Sequence, residues 1–532
     1  MDGTTPLADQ SKSFWRAALL LGLFVCVFMQ GSRGIYESTE GRYAECARET
    51  ITSANPLEPM LNGVNHWTKP PLTYWAIGAG TMALGDNPWG ARAYLVLSFL
   101  LTVVAVHLLD KALWKGGTRG LSALIFATAP VPIAAAHIIS TDMLLTVWEA
   151  WALAFYWMAV RSGSRHFTTL MWVALGLAAA TKGPVGLIPL TAILPAQWML
   201  KRRGDAPRSV ITLEGLLLFA LIGLSWFGYV IWAHPEILKQ WIGEEVVGRI
   251  AYDAHHRASS EPRKILMNYV PMMLFGTGPW LVWWLWKERA QLGRAAWARR
   301  FKDADFGVEQ VFLALAIVIP FIVFSASSSR LPLYIVPLFA PMCVAIGRGW
   351  SHLLDSGRVS GRVVLRIAIA VALLMGAVKG IAAYRTSWKD MTAAAASMRD
   401  LPELQGDAPL IALFRVPLNG LQFHLDRRIP TIYFRLDNPT ELTRQDALSF
   451  PVPTVVGVAN TDLLPSSDED KVYAPEGALV IVRSKELALY GPFFSPLGLE
   501  VLSAGEEWSV IRLTQRIDIG EIAEAAPEDD DI

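Results

Sequence analysis

Charge and cysteine are both scarce in this chain. Only 18% of its 532 residues are Asp, Glu, Lys or Arg, and 53% are hydrophobic, with a mean hydropathy of +0.35. That balance excludes an ordinary soluble globule. The three cysteines (Cys26, Cys46, Cys343) stand far apart, which excludes a disulfide framework and any Cys-based metal spacing. There is no Walker A motif and no GxGxxG, so a nucleotide-sugar donor in a soluble dinucleotide fold is excluded too. No internal repeat of the transporter kind is evident. No nucleic-acid partner is expected.

What the chain does have is apolar runs of about 18–22 residues, recurring through its first 383 positions. Its 21 tryptophans suit a protein with many membrane interfaces. Spans are expected near 14–34, 91–110, 120–138, 142–161, 167–181, 184–200, 211–233, 267–287, 307–326, 332–349 and 363–383. That makes about eleven. The first run is long and lacks a small-x-small cleavage site, so it reads as a retained helix rather than a signal peptide. The short run 72–84 reads as a helix lying in the interface.

Alternation of these spans gathers Lys111, Lys115, Arg119, Arg161, Arg165 and Lys201–Arg203, with the basic loops near 287–302 and 348–366, on one side. That side is the cytoplasm by the positive-inside rule. The segments 35–90, 234–266 and everything after 384 then lie outside. A span at 72–84 would flip every later loop and break the pattern.

Composition changes after Tyr384. Residues 385–532 carry eleven more acidic than basic groups, and the preceding part is basic by the same amount. Helical and strand-like segments alternate from 387 to 514 and predict a small α/β domain. The expected organisation is a transmembrane domain over 1–383, an external α/β domain over 384–515 and an acidic disordered tail over 516–532.

The charged residues between the first apolar runs carry the functional argument. Tyr36 to Trp75 opens YESTEGRYAECARET and closes NHWTKPPLTYW. From Glu40 to Ile51 the charges fall at helical spacing, which also describes a surface helix with Thr39 as its N-cap. Read functionally, Glu40 and Glu37 are candidate acids that could take a proton from an acceptor hydroxyl, and Arg42 could hold a phosphate in a fork. Lys69 stands before two prolines that bar a helix through it; it is a snorkelling lysine or a phosphate ligand. Asp142, in STDMLLT, is a helix cap or a polar group at a membrane cleft. Lys182, in TKGPVGL, sits at an outer junction of two spans, costly there without an anion. Arg330 and Tyr334, in SRLPLYIVP, are four apart, so a helix starting there would put them on one face. His255 and His256 are adjacent, so a helix would not aim both at one metal. No metal ligand is assigned, no cofactor is called for, and a divalent metal has weak support. A cationic cluster with carboxylates at headgroup level suits a lipid phosphate carrying a group to be transferred.

TEGRYAE, NGVNHWTKPPLTYW, STDMLLT, TKGPVGL and SRLPLYIVP resemble, in order and spacing, the bacterial aminoarabinose transferase and protein O-mannosyltransferase-like glycosyltransferases of the GT-C class. The resemblance covers about residues 14–350. It implies a polytopic α-helical membrane enzyme of the bacterial inner membrane, with its active site on the periplasmic side. Such an enzyme moves a sugar, with inversion, from a polyprenyl (undecaprenyl) phosphate carrier to a glycolipid or glycan such as lipid A or lipopolysaccharide core. By the same resemblance Arg42, Lys69 and Tyr334 match carrier-phosphate positions, and Asp142 and Lys182 line the same cleft. Two departures stand out. Thr39-Glu40 replaces the usual Asp-Glu, leaving Glu40 or Glu37 as the base, or an acceptor phosphate that needs none. Thr68 stands where related enzymes often carry Glu, which weakens an inherited metal site. The alternatives are a lipid-linked sugar transporter and a non-catalytic protein that binds lipid phosphate.

Overall fold

The computed structural model describes residues 7–114, 116–205, 209–241, 262–289, 307–327, 330–385, 387–399, 401–402, 410–413, 418–427, 429, 431–435, 454–459, 473–474, 476–484, 499–504, 507–515 and 517–518. His255 and His256 lie outside them. The chain divides into two compact units. One comprises Met1–Gln30, Trp67–Gly80 and Ala91–Ala382; the other comprises Gly31–His66, Thr81–Gly90 and Ala383–Ile532.

The helices in chain order begin with α1 (Leu7–Val27), α2 (Thr39–Thr52), α3 (Leu72–Leu84) and α4 (Pro88–Leu113). Then come α5 (Leu121–Ala127), α6 (Pro130–Ala135), α7 (Asp142–Ser162), α8 (Arg165–Lys182), α9 (Leu190–Arg203) and α10 (Leu213–Ala233), the last with a π-helical stretch at Ala220–Leu224. The membrane unit continues with α11 (Pro262–Phe275), α12 (Pro279–Glu288), α13 (Val308–Ala326), α14 (Phe339–Asp355) and α15 (Gly361–Tyr384).

Among the described residues seven helical segments are long and apolar enough to cross a membrane: Pro88–Leu113, Asp142–Ser162, Arg165–Leu187, Leu213–Ala233, Val308–Ala326, Pro332–Asp355 and Gly361–Tyr384. The other four expected spans are also helical but shorter or broken. Pro130 starts α6 afresh after Thr128, and Pro279 starts α12 after Gly278, whose φ of 67° no β-carbon favours. Proline is tolerated at both positions because a first-turn N–H has no helical acceptor anyway. The 72–84 run is a helix of 13 residues, too short to span.

The membrane unit packs through small residues and a tryptophan chain. A β-carbon on Gly347 of α14 would lie 2.9 Å from the backbone of Ser122 in α5, so only glycine allows that approach. Trp280 Nε1 donates to Thr128 Oγ1 at 3.0 Å, and Trp350 Nε1 donates to the Trp280 carbonyl at 2.9 Å. Both buried indoles thereby satisfy their one donor.

In the other unit a six-stranded mixed sheet has the order β5 (Thr454–Ala459), β4 (Thr431–Arg435), β3 (Leu410–Leu413), β7 (Leu479–Arg483), β9 (Trp508–Leu513), β8 (Leu499–Ala504). The β3 strand runs parallel to β4 and β7; the other pairs are antiparallel. Helices α16 (Met391–Arg399) and α17 (Asn419–Leu425) supply Met391, Ala394, Met398 and Leu421 to a core shared with Leu410, Ile481 and Val510. Seven of these segments follow the sequence reading. The edge strand β8 does not: Glu500 and an exposed Val501 hide its alternation. Within the stretch expected as a tail, Ile517–Asp518 pairs with Tyr473–Ala474.

Residues Gly31–His66 belong with this sheet through main-chain contacts. Met391 N donates to the Ile35 carbonyl at 3.0 Å, Glu37 N to the Lys389 carbonyl at 2.9 Å, and Ile35 N to Thr392 Oγ1 at 3.0 Å. A two-stranded ribbon, Met60–Leu61 with Val64–Asn65, closes against α2, where both main-chain N–H groups of its turn, Asn62 and Gly63, donate to the Glu49 carboxylate at 2.9 Å.

After α8 the chain turns through a 3-10 segment, Gly183–Leu187. A β-carbon on Gly186 would meet the Ala178 and Ala179 backbone at 2.4 and 2.5 Å, whereas one on Gly228 would meet nothing within 4 Å. Gly186→Ala is therefore expected to lose about 1–3 kcal/mol of stability as an overpacking change. Thermal melting of detergent-purified protein should show a lowered Tm for Gly186→Ala and none for Gly228→Ala.

Candidate functional site

The predicted residues divide between the two units. Lys69, Asp142, Lys182, Arg330 and Tyr334 lie in the membrane unit; Glu37, Glu40 and Arg42 lie in the other.

In the membrane unit three of them meet. Lys182 Nζ lies 2.5 Å from Asp142 Oδ1, with side-chain exposures of only 7% and 6%. The same ammonium sits 4.1 Å from the centre of the Tyr334 ring. Each partner comes from a helix end. Asp142 opens α7 at its first helical position, where a carboxylate complements the helix dipole. The N-cap position belongs to Thr141, not to Asp142 as expected, and makes no side-chain cap. Lys182 closes α8, where a cation is favoured. Tyr334 lies in a 3-10 segment, Pro332–Leu338, because Pro332 and Pro337 disfavour a regular α-helix. With about three residues per turn, Arg330 and Tyr334 do not share the helical face expected of them. Arg330 instead turns its Nε to the Ser325 carbonyl at 3.0 Å.

Residues the sequence did not single out hold this cluster. The Tyr94 hydroxyl donates to the Ser140 carbonyl at 2.8 Å and accepts from Ser140 N at 3.1 Å, clamping the turn before Asp142. The buried Tyr269 donates to the Leu331 carbonyl at 3.2 Å, next to Arg330. Neither tyrosine lies in a charged motif, so nothing in the local pattern marks them. Glu149 follows Asp142 by seven residues on one face of α7; it is buried, and its Oε1 has no hydrogen-bond partner among the described residues. Lys69 is half-buried next to Trp67, whose carbonyl accepts from Trp241 Nε1 at 3.0 Å. Trp67 also packs on Trp226 and His234.

In the other unit α2 is no surface helix: Glu40, Glu45 and Glu49 are 3%, 0% and 8% exposed. Its N-cap position is Ser38, not Thr39. Glu40 Oε1 accepts from Arg33 Nη2 at 2.7 Å and Oε2 from Tyr36 N at 3.2 Å. Arg33 also stacks over Tyr36 at 4.3 Å, a partner the sequence reading passed over. Arg42 is half-buried with its guanidinium 5.8 Å from the Tyr43 ring. The Glu37 carboxyl points inward: Oε1 accepts the Gly420 N–H, and Oε2 has no partner among the described residues. Burial pushes Glu37 up to about 8, against the Gly420 hydrogen bond. Glu45, gripped at 2.8 Å by both Arg48 Nε and Nη2, is pushed up to about 7, again by burial. At neutral pH Glu37 is therefore mainly protonated, whereas Glu40 is ion-paired to Arg33. Among the described residues no three of His, Cys, Asp and Glu come together so as to hold a metal ion.

Two outcomes follow. A carboxyl raised in the folded state contributes stability that is full below its unfolded value near 4.5 and is lost as pH rises through about 8. Tm should therefore fall between pH 5 and pH 8.5, and Glu37→Gln, which keeps an acceptor for Gly420, should flatten that fall. Removing one member of the Asp142–Lys182 pair strands a buried charge: Lys182→Met should cost about 3–5 kcal/mol, and adding Asp142→Leu should recover most of it in a double-mutant cycle.

The model of the dolichyl-phosphate-mannose-protein mannosyltransferase family matches residues 34–239. An undecaprenyl phosphate-alpha-4-amino-4-deoxy-L-arabinose arabinosyl transferase of Erwinia tasmaniensis is 29% identical over 343 residues, 63% of this chain and 59% of its own length. A like-named enzyme of Pseudomonas fluorescens is 30% identical over 354 residues, 65% of this chain and 61% of its own. The chain thus matches less than two thirds of the length of these relatives. The crystal structure of ArnT from Cupriavidus metallidurans bound to undecaprenyl phosphate superposes with a TM-score of 0.69 at 20% identity, covering 95% of this chain and 98% of that one. The chain has the GT-C membrane fold of ArnT with a C-terminal sheet domain, and in sequence it is similar to the undecaprenyl phosphate-aminoarabinose arabinosyl transferases.

Proposed function

We propose that this protein is a GT-C glycosyltransferase of the bacterial inner membrane. It takes a sugar from an undecaprenyl-phosphate carrier and passes it to an acceptor on the periplasmic face, such as lipid A, lipopolysaccharide core or another envelope glycan. The organisation is a catalytic transmembrane domain over 1–383, a periplasmic α/β domain over 384–515 and an acidic tail. The observation that carries this reading is the buried Lys182 ammonium, held between Asp142 and the Tyr334 ring at the end of a membrane-length helix. Ionisable groups at that depth cost too much to be incidental.

In this reading Lys69, Lys182, Arg330 and Tyr334 of the membrane unit recognise the carrier phosphate, and Arg42 is a separate phosphate-binding candidate. Asp142 keeps the Lys182 ammonium aimed until a phosphate competes for it. As the bond from the anomeric carbon to the carrier phosphate breaks, negative charge grows on the phosphate, and fixed cations in a dry site stabilise it. The acceptor oxygen attacks from the opposite side and inverts the centre. Glu40 takes its proton, or orients it when the acceptor is already anionic. Arg33 holds the Glu40 carboxylate in place by a 2.7 Å ion pair.

Glu40→Gln and Lys69→Ala should each abolish transfer from an undecaprenyl-phosphate-linked sugar while leaving the protein folded, with a lower Tm for Glu40→Gln because the buried ion pair to Arg33 is lost. Mass spectrometry of envelope glycolipids and glycans from cells with and without the protein identifies the product. Wild-type transfer by both variants would remove these residues from the site.

A further inference from the structure

The membrane unit has a cavity at the end of α7 remote from Asp142. It encloses about 460 Å³. Its lining includes Arg165, Thr168 and Thr169 of α8, Gln197 of α9, and Thr212 and Glu214 at the start of α10. Ala159, which lines it, stands 17 residues after Asp142 on α7, about 25 Å along the helix. The proposed transfer reaction gives it no role.

The cavity is built by fixed contacts. Trp172 Nε1 donates to the Val210 carbonyl at 2.8 Å, and Thr169 Oγ1 to Glu214 Oε1 at 3.2 Å. A β-carbon on Gly215 would fall 2.1 Å from the Trp172 ring, so α10 starts as close to α8 as a chain can. The lining is rich in hydroxyls, and its one cation, Arg165, is exposed and makes no ion pair among the described residues. The rim is apolar. Ile211 and Leu213 are 56% and 74% exposed, and Leu217, Leu221 and Leu224 continue a bare track down α10. Trp198, with Arg202 stacked 4.0 Å from its ring, marks this end as headgroup level.

A polar chamber opening onto an apolar helix face at headgroup depth has the shape of a phospholipid. This end of the unit carries Arg161, Arg165, Lys201, Arg202 and Arg203 against Asp205, Glu214 and Glu309, which favours a lipid with net negative charge. Arg165 would meet the phosphodiester, while Glu214 and the threonine hydroxyls would accept from or donate to a polyol head. We infer that this cavity is a binding site for an anionic glycerophospholipid with a hydroxylated headgroup, its acyl chains lying along the leucine track of α10. The inference goes beyond the transfer reaction and does not depend on it.

Native mass spectrometry of the delipidated full chain, titrated with phosphatidylglycerol, phosphatidylcholine or inorganic phosphate, tests it. Phosphatidylglycerol should bind at one retained site, phosphatidylcholine more weakly, and phosphate alone should not compete. Arg165→Gln should weaken phosphatidylglycerol about fivefold. Arg165→Lys should keep most of the affinity, and Arg366→Gln, an exposed arginine elsewhere in the chain's basic loops, should change nothing. Unaltered binding in Arg165→Gln, an equal loss in Arg366→Gln, equal affinity for phosphatidylcholine, or competition by free phosphate would each overturn the assignment.

Discussion

A lysine ammonium that has given up water must be paid for by its neighbours, and Lys182 has two: the Asp142 carboxylate at 2.5 Å and the face of Tyr334 at 4.1 Å. Meeting that need constrains three separate stretches of chain. The start of α7, the end of α8 and the 3-10 segment before α14 have to meet at one point. Antiparallel packing of α7 on α8 brings the first two together, and the prolines around Tyr334 keep the third from winding into a regular helix. Tyr94 and Tyr269 then fix the turns on either side by hydrogen bonds to main-chain carbonyls. The pair is a poor device for stability alone, since an apolar pair of similar size would cost less to bury.

The other unit shows the same economy with the opposite charge. Three buried glutamates, one just before α2 and two on it, are each answered differently. Glu40 meets Arg33, Glu49 meets two main-chain N–H groups, and Glu37 meets the Gly420 N–H and stays mainly protonated. Identical side chains within twelve residues of one another thus have different partners, and burial raises Glu37 in particular.

Much of the fold was legible in the sequence. Apolar runs marked all seven membrane-length helical segments among the described residues, because lipid leaves the backbone no other way to satisfy its N–H and C=O groups. The prolines and glycines that break α5 from α6 and α11 from α12 were visible as residues, but their effect on length was not. The helix–strand alternation after Tyr384 was readable because buried strands are short and β-branched. The strand at Leu499–Ala504 escaped because an edge strand buries one face at most and keeps charge on the other.

The site was legible in part. Motif spacing singled out Asp142, Lys182 and Tyr334, and the sequence alone determined that charged residues recur at the ends of apolar spans. The family resemblance added that Thr39 stands in place of an Asp, with Glu37 and Glu40 as candidate acids. Only the tertiary structure decided that Lys182 pairs with Asp142 and not with Arg330's neighbours, that Arg33 claims Glu40, and that Glu37 turns inward to Gly420. Local sequence sets which groups are charged and how helices begin and end. Contacts between residues 40 or 383 positions apart set which of those charges are buried, and burial is what fixes their partners and their protons.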